Sequence, residues 1–430
     1  MPAGSERAKM KMNVLVVGSG GREHAIVWKL QQSPLVGKIW CAPGNGGIGQ
    51  LAACKPVDVM DIPGMVALAR EMAADLVVVA PDDPLAAGMV DAMEAAGIRA
   101  FGPNRAAAVL EASKSFSKDL MLRYGIPTAA YAVFEDSGVA VEWLKNQKMP
   151  IVVKADGLAL GKGVLICETL REAESAVREI LDGHRFGRAG FRVVIEECLT
   201  GPEVTVLTFT DGKTMMPMAS SQDHKRALDR DEGLNTGGMG TFSPSRIYTP
   251  EMDAWCMDHI YLPTMEAMNR EGRTFKGVLY FGLMITPEGP KVIEYNARFG
   301  DPETQVVLPR LENDLMEVFL AVIEERLGEM ILAWKPVTAV CVVMASGGYP
   351  EAYRKGYPIS GLREAEKLEG VTLFHAGTKS ENGQLLTNGG RVLGVTAIGP
   401  DMDQARLRAY AGVGLIAFQD ARWRTDIGIK

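Results

Sequence analysis

A carboxylate and an amide stand two residues apart in the segment Glu294-Tyr295-Asn296. This spacing places both side chains on the same face of a strand. Their oxygens suit Mg²⁺, which takes one or two protein carboxylates and completes its shell with substrate phosphates and water. A solvated strand face could also carry such residues, but Arg298 and a crowded polar loop up to Gln305 follow at once. We therefore expect a metal site at Glu294 and Asn296.

A lysine at the end of an apolar run, followed by a glycine-rich loop, indicates a site for a polyphosphate. Lys154 ends the run, and the loop 157–163 carries Lys162 between glycines. A lysine in that position is costly unless an anion pairs with it, and a loop with few Cβ atoms can close over phosphates. The segment is not a P-loop, because Asp156 and Gly163 occupy two of its defining positions. A flexible, exposed hairpin is the alternative.

Two glycine-rich segments near the N-terminus each follow a predicted strand. The residues 18–24 (GSGGREH) open a helix, and the residues 42–47 (APGNGG) follow the next strand. Backbone N–H groups and the helix dipole at such an opening can hold a phosphate. In an open parallel sheet both loops would lie at the carboxyl edge, where ligands bind. The dinucleotide fingerprint is incomplete, because Glu23 stands where its last glycine belongs, and a purely structural turn is the alternative.

Four further segments concentrate polar side chains. Glu196-Glu197, with Glu203 behind, ends a strand before a turn, where a nucleotide-binding hinge could use backbone groups and a carboxylate; surface carboxylates are the simpler interpretation of this segment alone. The loops 221–226 (SQDHKR), 235–240 (NTGGMG) and 298–305 (RFGDPETQ) are rich in charges, donors and small residues. Loops of this density carry function more often than they merely connect elements.

Composition places these residues in a multi-domain globular protein. The 430 residues correspond to about three domains, and the 47% hydrophobic content supplies buried cores. The net charge of −7, without a strongly basic run, argues against a nucleic-acid surface. The longest apolar runs are far shorter than the ~18 residues of a membrane span. Six scattered cysteines without a CxxC motif are typical of reduced, buried thiols and favour the cytoplasm.

The elements that must position these residues fall into three groups. Strands and helices alternate up to about Glu111, which predicts a parallel sheet with helices on both faces. From Ser113 the pattern is antiparallel α+β, with a helix at residues 170–181, residues 220–243 as a long polar loop and a hairpin near residues 277–295. The last piece, from about Trp334, contains strands but no cluster of titratable groups.

Taken in order, several segments resemble the glycinamide ribonucleotide synthetase family: GSGGREHA, APGN, KADGLALGKGV, SQDHKR, NTGGMG, EYNARFGDPETQ, HAGT and GGRVLGVTA. The resemblance runs from about Met12 to the C-terminus. The RFGDPExQ motif is specific to that family, whereas the glycine-rich lysine loop is shared among ATP-grasp ligases.

The resemblance implies a multi-domain fold of the α/β and α+β classes. Its parts are an extension at 1–12, which we expect to be disordered, an N-terminal parallel α/β substrate domain at 13–111, an ATP-grasp domain at 112–332 with a mobile lid at about 130–205, and a small α+β C-terminal domain at 333–430. The implied enzyme is cytoplasmic and joins glycine to 5-phosphoribosylamine with ATP, through a glycyl phosphate, in purine synthesis. It uses Mg²⁺ or Mn²⁺, has no nucleic-acid or membrane partner, and is a monomer or weak homodimer.

The resemblance also implies a role for each matching residue. The implied ATP site comprises Lys114, Lys154, Gly157, Gly161, Lys162, Gly163, Glu196, Glu197, Leu199 and Glu203. The implied phosphoribosylamine site comprises Gly18, Gly20, Gly21, Arg22, Glu23, Pro43, Gly44 and Asn45. Asp223, Lys225 and Arg298 would bind glycine, Glu294 and Asn296 the metal, and the catalytic residues would be Lys162, Asp223 and Arg298.

Three positions depart from the family pattern. Asp82 stands where Glu is usual, and Leu234 stands where Pro is usual before NTGGMG. Many ATP-grasp enzymes carry an acidic metal ligand on the first strand of the hairpin, where this chain has Gly282-Leu283, an absence that the synthetase family shares. Glu294 and Asn296 would therefore share the metal mainly with phosphates and water.

Three other functions remain open at this point. A nicotinamide-dependent oxidoreductase would need the complete glycine fingerprint and would leave the lysine loop and the Glu294 strand without a role. A nucleotide-binding module without turnover would not need both lysines together with Glu294, Asn296 and Arg298. Another ATP-grasp ligase, for example one that carboxylates a purine intermediate, is excluded only by the loops RFGDPETQ and SQDHKR.

Overall fold

The structure is a computed structural model that describes residues 11–159 and 163–429. The predicted ATP-site residues Gly161 and Lys162, and residues 1–10 of the predicted extension, lie outside the described residues. Met12, which the prediction assigned to the extension, already belongs to the first strand and pairs with Val36.

The N-terminal segment folds as a five-stranded parallel sheet with helices on both faces, as its alternating pattern predicts. Val14 and Val16 pack into one core, and Leu15 and Val17 pack into another, which is why the strand is apolar throughout. The strand order is β3-β2-β1-β4-β5. The elements are β1 (Met12–Gly18), α1 (Gly21–Leu30), β2 (Val36–Pro43), α2 (Ile48–Leu51), β3 (Ala53–Cys54), α3 (Ile62–Glu71), β4 (Leu76–Val79), α4 (Asp82–Ala87), α5 (Met89–Ala95), β5 (Ala100–Phe101) and α6 (Arg105–Ala112).

A four-stranded antiparallel sheet in the order β6-β9-β7-β8 follows. The helix Leu170–Leu181, which precedes the last strand of this sheet in the chain, has the bounds that the sequence predicts, because Thr169 and Glu172 form a capping box at its start. The elements are α7 (Lys114–Tyr124), β6 (Tyr131–Phe134), α8 (Ser137–Leu144), β7 (Ile151–Ala155), β8 (Val164–Cys167), α9 (Leu170–Leu181) and β9 (Val193–Glu197).

A second antiparallel sheet, in the order β11-β10-β16-β17, contains the predicted hairpin of β16 and β17. The helical region before the hairpin is interrupted by a π-helical turn at Met257–Tyr261. The elements of this region are β10 (Glu203–Thr210), β11 (Met215–Pro217), β12 (Gln222–Asp223), β13 (Arg226–Leu228), β14 (Glu232–Asn235), β15 (Gly240–Ser243), α10 (Pro250–Cys256), α11 (Leu262–Arg270), β16 (Gly277–Thr286) and β17 (Gly289–Asn296).

The C-terminal segment builds a five-stranded sheet in the order β12-β15-β18-β22-β19. Its elements, with the two short helices that precede it, are α12 (Thr304–Val307), α13 (Leu315–Ile323), β18 (Thr338–Ala345), α14 (Leu362–Glu366), β19 (Val371–His375), β20 (Thr378–Glu381), β21 (Gln384–Thr387), β22 (Arg391–Gly399) and α15 (Met402–Leu415). No helix in the described ranges is long and apolar enough to cross a membrane.

The prediction of a continuous polar loop at residues 220–243 is wrong. Four short strands form within it, and two of them, β12 and β15, join the C-terminal sheet. The backbone groups of such a segment need hydrogen-bond partners, and β15 finds them on β18, where Phe242 pairs with Val340. Glycines and charged residues conceal these strands in the sequence, and β15 finds its partner β18 in a distant part of the chain.

Candidate functional site

The two N-terminal glycine-rich loops lie side by side at the carboxyl edge of the parallel sheet, as predicted. Gly18 pairs with Pro43 across β1 and β2, and the Gly44 N–H donates to Gly18 O at 3.0 Å. Gly44 has φ +73°, and a Cβ there would lie 2.3 Å from Cys54 Sγ, so the turn requires glycine.

The Asn45 side chain fixes these loops together. Its Nδ2 donates to Ser19 O and to His375 O, each at 2.8 Å, while its Oδ1 accepts from the N–H groups of Gly47 and Ile48, each at 2.9 Å. Both protons and both acceptor positions of the amide are thereby used within the protein. Asn45 therefore positions the loop, rather than offering a free side chain to a ligand.

Two protein carboxylates already occupy the first turn of α1. The Gly20 N–H donates to Glu23 Oε2 at 2.6 Å, and the Arg22 N–H donates to Asp301 Oδ2 at 3.3 Å. The helix dipole stabilises these negative charges, but a phosphate at the same N–H groups would meet two like charges. A substrate phosphate would reach the N–H groups of Gly20 and Arg22 only by displacing these carboxylates. The phosphate site at the opening of α1 stays a prediction. The Arg22 guanidinium remains nearby, with Nε 2.6 Å from Glu23 Oε1.

Glu294 lies among cations. Lys225 Nζ is 3.7 Å from Glu294 Oε1 and 3.4 Å from Asp223 Oδ2. Burial opposes the ionisation of Glu294, but the combined attraction of surrounding cations holds its pKa below the ordinary value. These cations are Lys225, Lys154, Lys114 and Arg298. Asp223 and Lys225, which are predicted to bind the substrate glycine, therefore lie beside Glu294, which is predicted to bind the metal.

Lys225 is held charged by the same group of residues. Burial acts against its charge, but nearby carboxylates, Asp223 foremost, raise the pKa of Lys225 well above its ordinary value. Glu203 also contributes to this attraction from the start of β10. For Glu203 itself, burial raises the pKa while Lys225 opposes the shift. The predicted ATP residue Glu203 thus faces the cluster that contains Glu294.

The predicted metal residues offer two oxygen donors on one strand. Asn296 Oδ1 accepts a hydrogen bond from Arg298 Nη2 at 2.9 Å, and Gly282 stands opposite Glu294 on β16. Within residues 11–159 and 163–429, no group of three or more His, Cys, Asp or Glu side chains is arranged to hold a metal. The donor set therefore fits a Mg²⁺-like ion that takes most of its ligands from phosphates and water, and it does not fit a closed structural site.

Lys154 pairs with a buried carboxylate, as its position after an apolar run predicts. Its Nζ lies 3.0 Å from each Glu196 carboxylate oxygen and donates to Ile293 O at 3.0 Å. Lys118 Nζ lies 2.9 Å from the same carboxylate, whose side chain is 3% exposed. The Glu196 side chain therefore faces two lysines, and its role in ATP binding stays a prediction.

Lys114 and the described glycines of the lysine loop are in contact. Lys114 Nζ donates to Gly157 O at 3.0 Å. A Cβ on Gly157 would lie 2.8 Å from Ala189 Cα, and one on Gly163 would lie 2.7 Å from Ala159 Cβ. Close packing in this structure therefore requires glycine at both positions.

Glu197 and Leu199 are the other residues of the predicted nucleotide-binding hinge. The Glu197 N–H donates to Ala130 O at 3.0 Å, and its carboxylate accepts from the Ala130 N–H at 3.1 Å. Glu197 is thus engaged with the segment that enters β6. Leu199 follows the end of β9 outside any helix or strand.

Arg298 is held by a carboxylate that the sequence did not single out. Its Nη2 lies 3.3 Å from Glu111 Oε1, and Glu111 Oε2 accepts from the Ala297 N–H at 2.7 Å. Burial raises the pKa of Glu111 to about 7, although Arg298 acts in the opposite direction. Asp82 is attracted by Arg298 and Arg22, which outweigh the effect of burial and lower its pKa. The shorter Asp82 side chain therefore still faces both arginines.

The C-terminal sheet contributes directly to the site. Arg391 Nη1 donates to Gly237 O at 2.6 Å and to Asp301 O at 2.7 Å. The Gly237 N–H donates in turn to the Tyr349 hydroxyl at 3.1 Å. The sequence shows no cluster of titratable groups in the last segment, yet Arg391 of that segment joins the loops NTGGMG and RFGDPETQ.

Sequence reasoning therefore missed Lys118, Glu111, Arg391 and Tyr349. Lys118 follows Lys114 by four residues on α7, so their shared helix face is a usable signal. Arg391 follows the glycine pair 389–390, which is a weaker signal. For Glu111 and Tyr349 we find no local signal.

Three family models, each described as Phosphoribosylglycinamide synthetase, match the chain: the N domain at residues 12–111, the ATP-grasp (A) domain at 112–304 and the C domain at 339–430. The phosphoribosylamine–glycine ligase of Vibrio vulnificus is 50% identical over 422 residues, covering 97% of this chain and 98% of that protein. The one of Brucella melitensis is 50% identical over 417 residues, covering 97% of each. The crystal structure of phosphoribosylamine–glycine ligase from Thermotoga maritima has a TM-score of 0.85 at 32% identity, covering 96% of this chain and 99% of that one.

Proposed function

The chain belongs to the phosphoribosylglycinamide synthetase family, and we propose that it ligates glycine to 5-phosphoribosylamine with ATP. The products are N1-(5-phosphoribosyl)glycinamide, ADP and phosphate, in a step of de novo purine synthesis. The observation that carries the proposal within the chain is the meeting of Lys225, Asp223 and Glu294. Glycine is a zwitterion, and this cluster offers an ammonium group for its carboxylate and carboxylates for its ammonium group.

The first step brings two anions together. The glycine carboxylate oxygen attacks the γ-phosphorus of ATP, the bond to ADP breaks, and glycyl phosphate forms. Lys225 and Arg298 offset charge on the reacting groups, and Lys154 and Lys114 do so on the phosphates. We also propose that the loop that carries Gly161 and Lys162 closes over the phosphates. No protein nucleophile takes part.

We propose that Glu294 and Asn296 hold the divalent cation, Mg²⁺ or Mn²⁺. When bound, such an ion offsets triphosphate charge and orients the γ-phosphate. Arg298 keeps the Asn296 amide oriented through the hydrogen bond to its Oδ1.

The second step joins the amine. The nitrogen of phosphoribosylamine attacks the carbonyl carbon of glycyl phosphate, a C–N bond forms, and phosphate leaves as the nitrogen loses a proton. We place this substrate beside the loops 18–24 and 42–47, where the Arg22 side chain, rather than the occupied helix N–H groups, offers the positive charge. The closed loop must exclude water, because water would hydrolyse the acyl phosphate.

We also propose a cytoplasmic location and a monomer or weak homodimer. All six cysteines lie in the described ranges and none forms a disulfide, which supports a reducing compartment.

The test compares substrate pairs. ADP release is measured with glycine plus phosphoribosylamine and, separately, with bicarbonate plus aminoimidazole ribonucleotide, and the product of each reaction is identified by mass spectrometry. We expect ADP and glycinamide ribonucleotide from the first pair only. ADP release with the second pair alone would replace this proposal with a carboxylating ligase, and release with neither pair would favour a binding module.

A further inference from the structure

Lys118 belongs to no predicted site, yet its side chain is only 2% exposed. Its Nζ lies 2.9 Å from Glu196 Oε2, and it donates to Thr128 Oγ1 at 2.7 Å and to Ala129 O at 3.4 Å. A buried ammonium group is retained only where such partners replace water. Burial lowers the pKa of Lys118 to about 8, although Glu196 opposes the shift.

Glu196 is shared between two lysines that come from different elements. Lys118 approaches from α7, and Lys154 approaches from β7 with its Nζ 3.0 Å from the carboxylate. Among the described groups around this pair, Glu197 is the next residue on β9, and the Tyr131 ring on β6 lies 5.8 Å from Lys118 Nζ. Two ammonium groups on one buried carboxylate exceed what is needed to neutralise it.

Lys154 has a further hydrogen-bond acceptor, which lies close to the proposed nucleotide site. Lys154 Nζ donates to Ile293 O, next to Glu294 on β17. Lys118 reaches the same strand indirectly, because its partner Thr128 donates through Oγ1 to Val292 O at 2.6 Å. The two lysines therefore connect the sheet of β6 to β9 with the strand that carries the predicted metal residues.

We propose that Lys118 is a positioning residue that remains paired with Glu196 while Lys154 turns to the phosphates of ATP. The inference rests on the proposed function, because it requires ATP to bind beside Lys154. With Lys118 in place, Lys154 can give N–H donors to an anion without leaving a buried carboxylate unpaired. Without Lys118, ATP and Glu196 compete for the one remaining ammonium group.

The experiment measures ATP binding and proton uptake together. Calorimetric titrations with ATP and Mg²⁺, in buffers of different ionisation enthalpy at one pH, give the Kd and the number of protons taken up. The variants are Lys118→Met, and Lys118→Met combined with Glu196→Gln. The matched control is Lys145→Met, which removes a 52% exposed lysine from the same part of the chain. Circular dichroism and melting curves establish that each variant is folded.

We expect Lys118→Met to raise the Kd for ATP by at least about tenfold, since binding now strands a buried charge. Glu196 then takes a proton from the buffer acid, forming one O–H bond, so uptake rises by up to one proton per ATP. Adding Glu196→Gln should abolish this uptake and restore most of the affinity, because a neutral amide needs no counter-charge. Lys145→Met should match wild type in both quantities.

An unchanged Kd and unchanged proton uptake in Lys118→Met would overturn the inference. A loss of affinity that Glu196→Gln does not relieve would also overturn it, because that result marks a packing role. Should Lys118→Met not fold, Lys118→Arg decides: it keeps the charge and is expected to show wild-type proton uptake, and extra uptake would contradict the inference. A wild-type protein that binds no ATP would overturn the proposed function itself. The results on the variants, by contrast, test only the role of Lys118.

Discussion

Arg391 Nη1 donates to the main-chain oxygen of Asp301 at 2.7 Å, so a residue of the C-terminal sheet holds the loop RFGDPETQ. The same guanidinium group holds Gly237 O, and Asp301 in turn accepts from the Arg22 N–H of α1. Four parts of the chain that lie far apart in sequence therefore meet at the pair of Arg391 and Asp301. The C-terminal segment is part of the site architecture.

We expect Arg391→Ala to lower kcat at least about tenfold, because two site loops lose a charged hydrogen-bond donor worth about 1.5 to 3 kcal/mol each. The matched control is Lys379→Ala, an exposed lysine of the same segment that pairs with Glu381. Steady-state kinetics with each substrate checks the effect, and melting curves establish that the fold is kept. Wild-type kcat in Arg391→Ala would contradict a positioning role.

Glu294→Gln and Asn296→Ala should each raise the Mg²⁺ concentration needed for half-maximal activity by about tenfold or more, since each removes a charge or an oxygen ligand from a small octahedral ion. Glu288→Gln, in the turn of the same hairpin, is the control, because its carboxylate pairs only with Lys291 among described residues. Turnover is measured across a Mg²⁺ titration. Identical titration curves for all three variants would exclude the metal assignment.

Gly20→Ala should raise the KM for phosphoribosylamine by about tenfold and leave the Kd for ATP near wild type. A Cβ at this position would lie 2.7 Å from Glu23 Oε2 and 3.2 Å from Asp301 Oδ2, so both carboxylates must shift. Gly49→Ala is the control, because the nearest atom to its Cβ is Cys54 Sγ at 3.8 Å. Equal loss of both affinities in folded Gly20→Ala would assign the N-terminal loop to the nucleotide site.

His24 should make the protein less stable in mild acid. Its Nδ1 accepts from the His375 N–H at 2.8 Å, and burial lowers the pKa of His24 to about 3, with the repulsion of His375 adding to the shift. The unfolded chain binds a proton near pH 6.5 and the folded chain does not, so stability falls as pH drops below 6.5. Between pH 8 and pH 5 this amounts to about 2 kcal/mol.

The variant His24→Asn keeps an acceptor for the His375 N–H but has no proton to gain. Denaturant unfolding at pH 8 and pH 5 should show a smaller acid loss than in wild type. The same acid loss in both proteins would show that His24 is not the titrating group.

Glu111 should make the protein less stable as the pH rises, which is the opposite of the effect of His24. Burial raises its pKa from 4.5 to about 7 in the folded chain, so the folded state binds more protons across that window and stability falls as pH rises through it. Glu111→Gln keeps the acceptor for the Ala297 N–H and removes this contribution, about 2 to 3 kcal/mol between pH 5 and pH 8. The free energy of unfolding of the variant relative to wild type should therefore increase over that range. A constant difference would contradict this ionisation.

Local patterns in the sequence determined much of the secondary structure and part of the site. α9 has its predicted bounds because its cap and its apolar spacing are local, and the hairpin of β16 and β17 follows from two strand segments that meet at a turn containing glycine and proline. Lys154 was expected to have an anionic partner because a buried ammonium group is costly anywhere. The placement of Glu294 and Asn296 on one strand face depends only on the period of two.

Tertiary structure decided which groups meet. The sequence could not identify Glu196 as the carboxylate that Lys154 shares with Lys118. Nor could it identify Asp301 as the carboxylate that accepts a hydrogen bond from the first turn of α1. Both contacts depend on how separate sheets pack. The strands β12 and β15 were hidden for the same reason, since β12 pairs with β15 and β15 pairs in turn with the distant strand β18. Local sequence fixes dihedral preferences and faces, whereas hydrogen bonds and charge pairs between distant residues exist only once the domains have brought them within about 3 to 4 Å.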